Sequence, residues 1–125
     1  MVREVRREEA EIFLKKAEEF YQSALENYQK GRYSACVFDA SQVVILANDA
    51  FCIAILGRRA SKDHREAIQM HVQAAGSKES RKEIVTEALD RRSEFGYTEK
   101  SAGEKEANLF LIKSKRFIEW VRQRI

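Results

Sequence analysis

At 125 residues the chain is one domain's worth of protein, long enough for a core that needs neither disulfides nor a metal. Its net charge of +3 does not by itself argue for a nucleic-acid partner. Proline is absent and Glu, Lys, Arg and Ala are abundant, which removes the commonest helix breaker and favours long helices.

The first helix is expected from about Arg3 to Lys30. Its apolar residues (Ala10, Phe13, Leu14, Ala17, Phe20, Tyr21, Ala24, Leu25 and Tyr28) recur in steps of three and four. Gly31 is a good helix stop, so the next helix must fold back antiparallel after a very short turn. That second helix runs from about Arg32 to Leu56 and ends at Gly57. It is apolar nearly all round, the pattern of a central helix wrapped by others. Asp63 and Glu66 have the spacing of a capping box and open a third helix that Gly76 stops after Ala75. The thin apolar face of that helix (Ala67, Ile68, Met70, Val72) predicts a short, peripheral element with surface histidines. Ser80 and Glu83 form a second box and open a fourth helix to about Arg92. Gly96, Thr98, Ser101 and Gly103 mark a loop over Ser93–Gly103. Ser101 and Glu104 make a third box, and the last helix reaches about Arg124. Its inner stripe is Ala107, Phe110, Leu111, Phe117, Ile118 and Val121, with Trp120 at its flank.

These elements predict a single all-α domain over residues 1–125, an up-and-down bundle of five helices. Cys36 and Cys52 would lie about 24 Å apart on one straight helix and cannot bridge within it. No metal-ligand spacing is present, and no metal or cofactor is expected. The longest apolar run carries Asp39 and Asp49 and does not read as a membrane span. No signal peptide is visible, so a cytoplasmic protein is expected.

The central helix carries polar residues that need partners or a cavity. Asp39, Gln42 and Asp49 share about 80° of arc, while Ser41 and Asn48 lie on the opposite face. Two readings stand: a polar cleft or dimer seam, or buried hydrogen-bonding partners for neighbouring helices. Arg58, Arg59, Lys62 and Arg65 form one basic group, and Arg91 and Arg92 a second. Brought together they would attract phosphate or RNA; apart they are solvated helix ends.

The layout resembles the HEPN domain family. The resemblance rests on Glu11-Ile12-Phe13-Leu14-Lys15-Lys16-Ala17, the turn Lys30-Gly31-Arg32-Tyr33, the apolar second helix, and the closing stretch from Ala107 to Trp120. Ser93-Glu94-Phe95-Gly96 is similar to a stretch in a stand-alone prokaryotic branch. Relatives in that branch usually carry a Tyr pair where Ser41-Gln42 stands, and often an Arg at the place of Asp39. The resemblance implies a helical bundle, a homodimer, and pairing with a minimal nucleotidyltransferase in a toxin–antitoxin-type unit. It also implies, for many members, metal-independent ribonuclease activity through an Arg-x4–6-His motif at the end of the fourth helix. Arg91 and Arg92 occupy that place, but no histidine follows and Tyr97 stands there instead. Arg58, Arg59 and Arg65 fit the same expression earlier, with His64 or His71. Arg65 and His71 point to different sides of a helix, whereas Arg58 or Arg59 can converge with His64 across a turn. The expectation is a non-enzymatic interaction or regulatory protein. A ribonuclease and a nucleotide-binding domain without catalysis are the alternatives.

Overall fold

The computed structural model describes residues 2–60 and 63–125. Five helices and no strand form among them: α1 Val2–Gln29, α2 Tyr33–Leu56, α3 His64–Ala75, α4 Lys82–Tyr97 and α5 Glu104–Arg124. All four of the other helices pack on α2. By length and composition α2 could cross a membrane. It is instead enclosed by the bundle, with Cys36, Val37, Ala40, Val43, Val44, Ala47, Ala50, Phe51 and Cys52 buried. The all-α, five-helix bundle expected from the sequence is the architecture observed.

The α1–α2 turn explains the antiparallel pair. Arg32 N–H donates to Asn27 O at 2.8 Å and Gly31 N–H to Tyr28 O at 3.0 Å, the two bonds of a Schellman ending. Gly31 supplies the left-handed residue that this ending needs, at φ +73°. Small residues then let the helices approach: Ala10, Ala17, Ala24, Ala40 and Ala47 are all fully buried. At the far end of the chain, α5 runs antiparallel to α1. Its start lies by Tyr28, and Arg122 near its end pairs with Glu11 and Glu18.

Expectations about three element ends need correction. α4 continues to Tyr97 instead of stopping at Arg92. Arg91 pairs with Glu94 one turn on, Phe95 packs against the core, and Gly96 lies where a Cβ would sit 2.6 Å from the Phe38 ring. The glycine at 96 is therefore a site of close helix approach, not a stop. The Ser80–Glu83 box does not form: Arg81 is the N-cap of α4 and no side chain caps it. The Ser101–Glu104 box does not form either. Gly103 caps α5, and Ser34 Oγ accepts the Ala102 N–H at 2.9 Å. At α3 the expected cap is present, with Asp63 Oδ1 accepting from Glu66 N–H at 2.9 Å.

The largest correction concerns α3. It is short but not peripheral, because Met70 and His71 are buried. His71 is fully enclosed and joins an aromatic cluster with Phe51, Phe117 and Trp120, at centroid distances from 4.9 to 5.8 Å. Its Nε2 accepts the Arg81 backbone N–H at 2.7 Å. Nδ1 must then carry the proton and donate to Asn48 Oδ1 at 2.9 Å. One imidazole thus ties α2, α3 and the start of α4 together. Trp120, expected at the flank, lies inside the same cluster at 7% exposure.

The two end glycines should respond oppositely to substitution. Gly31→Ala should cost about 1 kcal/mol, because alanine is strained at positive φ. Gly103→Ser should be neutral to stabilising, since Gly103 has φ −96° and open space around its Cβ position at a helix N-cap. Urea unfolding of both variants checks this. Equal losses at both positions would contradict the turn geometry.

Candidate functional site

A cleft of about 410 Å³ opens between α2, the α2–α3 connection and α4. Gln42, Ile45, Leu46 and Asp49 follow one helical stripe and form the α2 wall. Leu89 and Arg92, three residues apart, form the α4 wall. Arg59, Asp63 and His64 close it from the connection and the first turn of α3. The cleft thus collects residues distant in sequence but each predictable from helix phase.

Its electrostatics are mixed. Arg92 Nη1 donates to Gln42 Oε1 at 3.3 Å, while its Nε–H is enclosed and meets no acceptor among the described residues. The guanidinium lines the cleft, where its charge would attract an anion. Arg59 lies over the Phe13 ring at 5.0 Å, which fixes its charge beside the cleft. Asp49 lines the same cleft. Burial pushes its carboxyl up to about 6, against the opposing pull of Arg59. His64 is exposed at the rim.

The remaining candidates lie elsewhere. Asp39 accepts from Ser23 Oγ at 2.8 Å and Asn27 Nδ2 at 2.9 Å, a tie between α1 and α2. Ser41 Oγ donates to Val37 O within its own helix. Asn48 meets His71, and its amide donates to Ala67 O. Arg58 reaches Met70 Sδ at 3.5 Å. Arg65 is exposed and does not line the cleft. Arg91 pairs with Glu94 and reaches Glu106 on α5. Lys62 lies outside the described residues. Among the described residues the two basic groups therefore contribute one cleft residue each, Arg59 and Arg92.

Both thiols are free and buried. Desolvation first, with nearby carboxylates adding, pushes Cys36 up to about 11 and Cys52 to about 12, so neither is a reactive thiolate. No cluster of metal-ligating side chains occurs among the described residues.

The family model of the HEPN domain matches residues 10–124. The chain belongs to the HEPN domain family. Curated proteins offer no match to it. Within the HEPN frame, Arg91 and Arg92 lie inside α4, which runs on to Tyr97. No histidine follows them in sequence, and His64, from the start of α3, shares the cleft with Arg92. Tyr97, five residues after Arg92, is 78% exposed. Sequence reasoning missed the internal role of His71. The signal was there: Ala67, His71, Ala74 and Ala75 keep helical step, placing the imidazole on the apolar stripe.

Burial, with Arg81 adding, holds His71 down to about 4. The unfolded chain therefore binds a proton more readily, and His71 costs stability as pH falls from about 6.5 toward 4. Asp49 has the opposite sign. Its folded-state carboxyl holds a proton more tightly, so its ionisation penalty disappears as pH falls through about 6. Asp49→Asn should raise the urea midpoint at pH 7.5, and the gain should vanish by about pH 4. The variant should also lose stability more steeply than the parent between those values. A gain that persists at pH 4 would show that Asp49 acts through packing and not through charge.

Proposed function

We propose that this HEPN domain works by binding and not by cleavage, as an interaction or regulatory module. On this reading it is homodimeric and is paired with a minimal nucleotidyltransferase in a toxin–antitoxin-type unit. The α2–α3–α4 cleft receives the phosphate of a nucleotide or of RNA. The observation that carries the reading is the meeting of two guanidinium groups, Arg59 and Arg92, in the lining of one cleft. Family membership supports a role related to nucleases or to toxin–antitoxin pairs. The non-catalytic reading is supported by His71, which has both ring nitrogens engaged inside the core.

Nucleotide binding should raise the melting temperature, because a ligand of the native state stabilises it by mass action. With millimolar AMP the shift should be clear in the parent. Arg59→Ala and Arg92→Ala should each weaken binding by about tenfold, the scale of one charge-assisted contact. Arg91→Ala should not. Absence of any shift, or equal loss in all three variants, would remove the cleft from consideration.

A ribonuclease reading has one specific observation in its favour: Asp49, Arg59 and His64 line the same cleft, and Asp49 titrates near the range useful for acid–base work. Purified protein incubated with RNA at pH 6 to 7 should give no cleavage above background. Cleavage that His64→Ala or Asp49→Asn abolishes would replace the binding reading with the enzymatic one.

A further inference from the structure

A second cleft lies on the other side of α4. The helices α4 and α5 both pack on α2, yet they do not pack closely on each other. The gap is a cleft of about 320 Å³, near the lower end of the range for small-molecule sites. Ile84, Phe117 and Trp120 give it apolar walls, and the two aromatic rings are stacked at 15° with centroids 5.7 Å apart. The Glu87–Lys113 ion pair spans the gap at 3.0 Å.

The cleft's lining points to a ligand with an apolar body and one negative charge. Trp120 is more than nine-tenths buried, with its indole N–H enclosed and without an acceptor among the described residues, so the ring offers the cleft an apolar surface. At the rim, Arg81 stacks over Trp120 at 5.5 Å, and Arg116 is exposed without an ion pair among the described residues. The α4 amino end, which no side chain caps, adds partial positive charge beside Arg81. Glu83 and Glu87 stand at the same cleft. They oppose a polyanion and leave room for a single negative charge near the arginines.

We propose that the α4–α5 cleft binds a small aromatic monocarboxylate. The ring lies against Phe117, Trp120 and Ile84, and the carboxylate meets Arg116 and Arg81. This site is separate from the α2–α3–α4 cleft and does not depend on the reading given for it.

Trp120 is the chain's single tryptophan, so its indole N–H gives one separate signal in a ¹H–¹⁵N spectrum. Titration with 1-naphthoate should move that signal saturably. Arg116→Ala, a change at an exposed residue, should weaken binding by about tenfold or more. The neutral analogue 1-naphthalenemethanol should bind at least about tenfold more weakly than the acid on the same grounds. Ile84→Trp, which fills the cleft, should abolish binding in a chain that circular dichroism shows to be folded; if it is not folded, Arg116→Ala decides alone. An indole signal that does not move at millimolar naphthoate would overturn the proposal. So would equal affinity for the neutral analogue, an unaffected Arg116→Ala, or tighter binding of AMP at this signal.

Discussion

The hydrogen-bonded link from Asn48 through His71 to the Arg81 backbone is the constraint on which the outer half of the bundle depends. The pair α1–α2 is held by its turn and by small residues in register. The short α3 has little apolar surface of its own, and no side chain caps α4. α4 packs on α2 through buried Val85, Ala88 and Leu89, and one imidazole, its two nitrogens satisfied from two different elements, ties the start of α4 to α3 and α2. Breaking that link would leave the Asn48 carbonyl with only the weak Cys52 Sγ donor at 3.8 Å and would release the part-buried Arg81 N–H. The aromatic cluster around His71 then carries the constraint across to α5.

Both clefts follow from this arrangement. Because α3 is drawn in against Asn48, the connection before it brings Arg59 and His64 over the Gln42–Asp49 stripe of α2. The start of α4 is tied through Arg81 to His71 and Trp120, while α4 and α5 both pack on α2 and not closely on each other, which leaves the gap lined by Trp120. The HEPN scaffold is thus retained with a changed distribution of polar groups. One histidine, His71, is engaged in the core, while His64, Arg59 and Arg92 line the α2–α3–α4 cleft.

The frame of the fold was legible because it is written in periodicity. The α1 stripe from Ala10 to Tyr28, the Gly31 turn and the all-round apolar α2 each have one physical solution. The ends of α4 and α5 were less legible. A capping box read from Ser80 or Ser101 is a local option, and tertiary partners overrode it at both places: His71 took the Arg81 N–H, and Ser34 took the Ala102 N–H. Gly96 looked like a break because its sequence does not show that Phe38 lies above it. At the candidate site, helix phase correctly grouped Gln42 with Asp49. Phase alone could not tell that Asp39, on the same arc, is taken by Ser23 and Asn27, or that Arg58 and Arg59 diverge.

The state of His71 tests the account most directly, because the same ring fixes α3 and α4 and is thereby withheld from acid–base chemistry. Ring ¹⁵N chemical shifts followed across pH report its tautomer and titration together. The structure predicts a neutral ring protonated on Nδ1 at pH 6, with titration displaced down to about 4. A ring that titrates near 6.5, or that carries its proton on Nε2, would contradict both the buried link and the non-catalytic reading built on it.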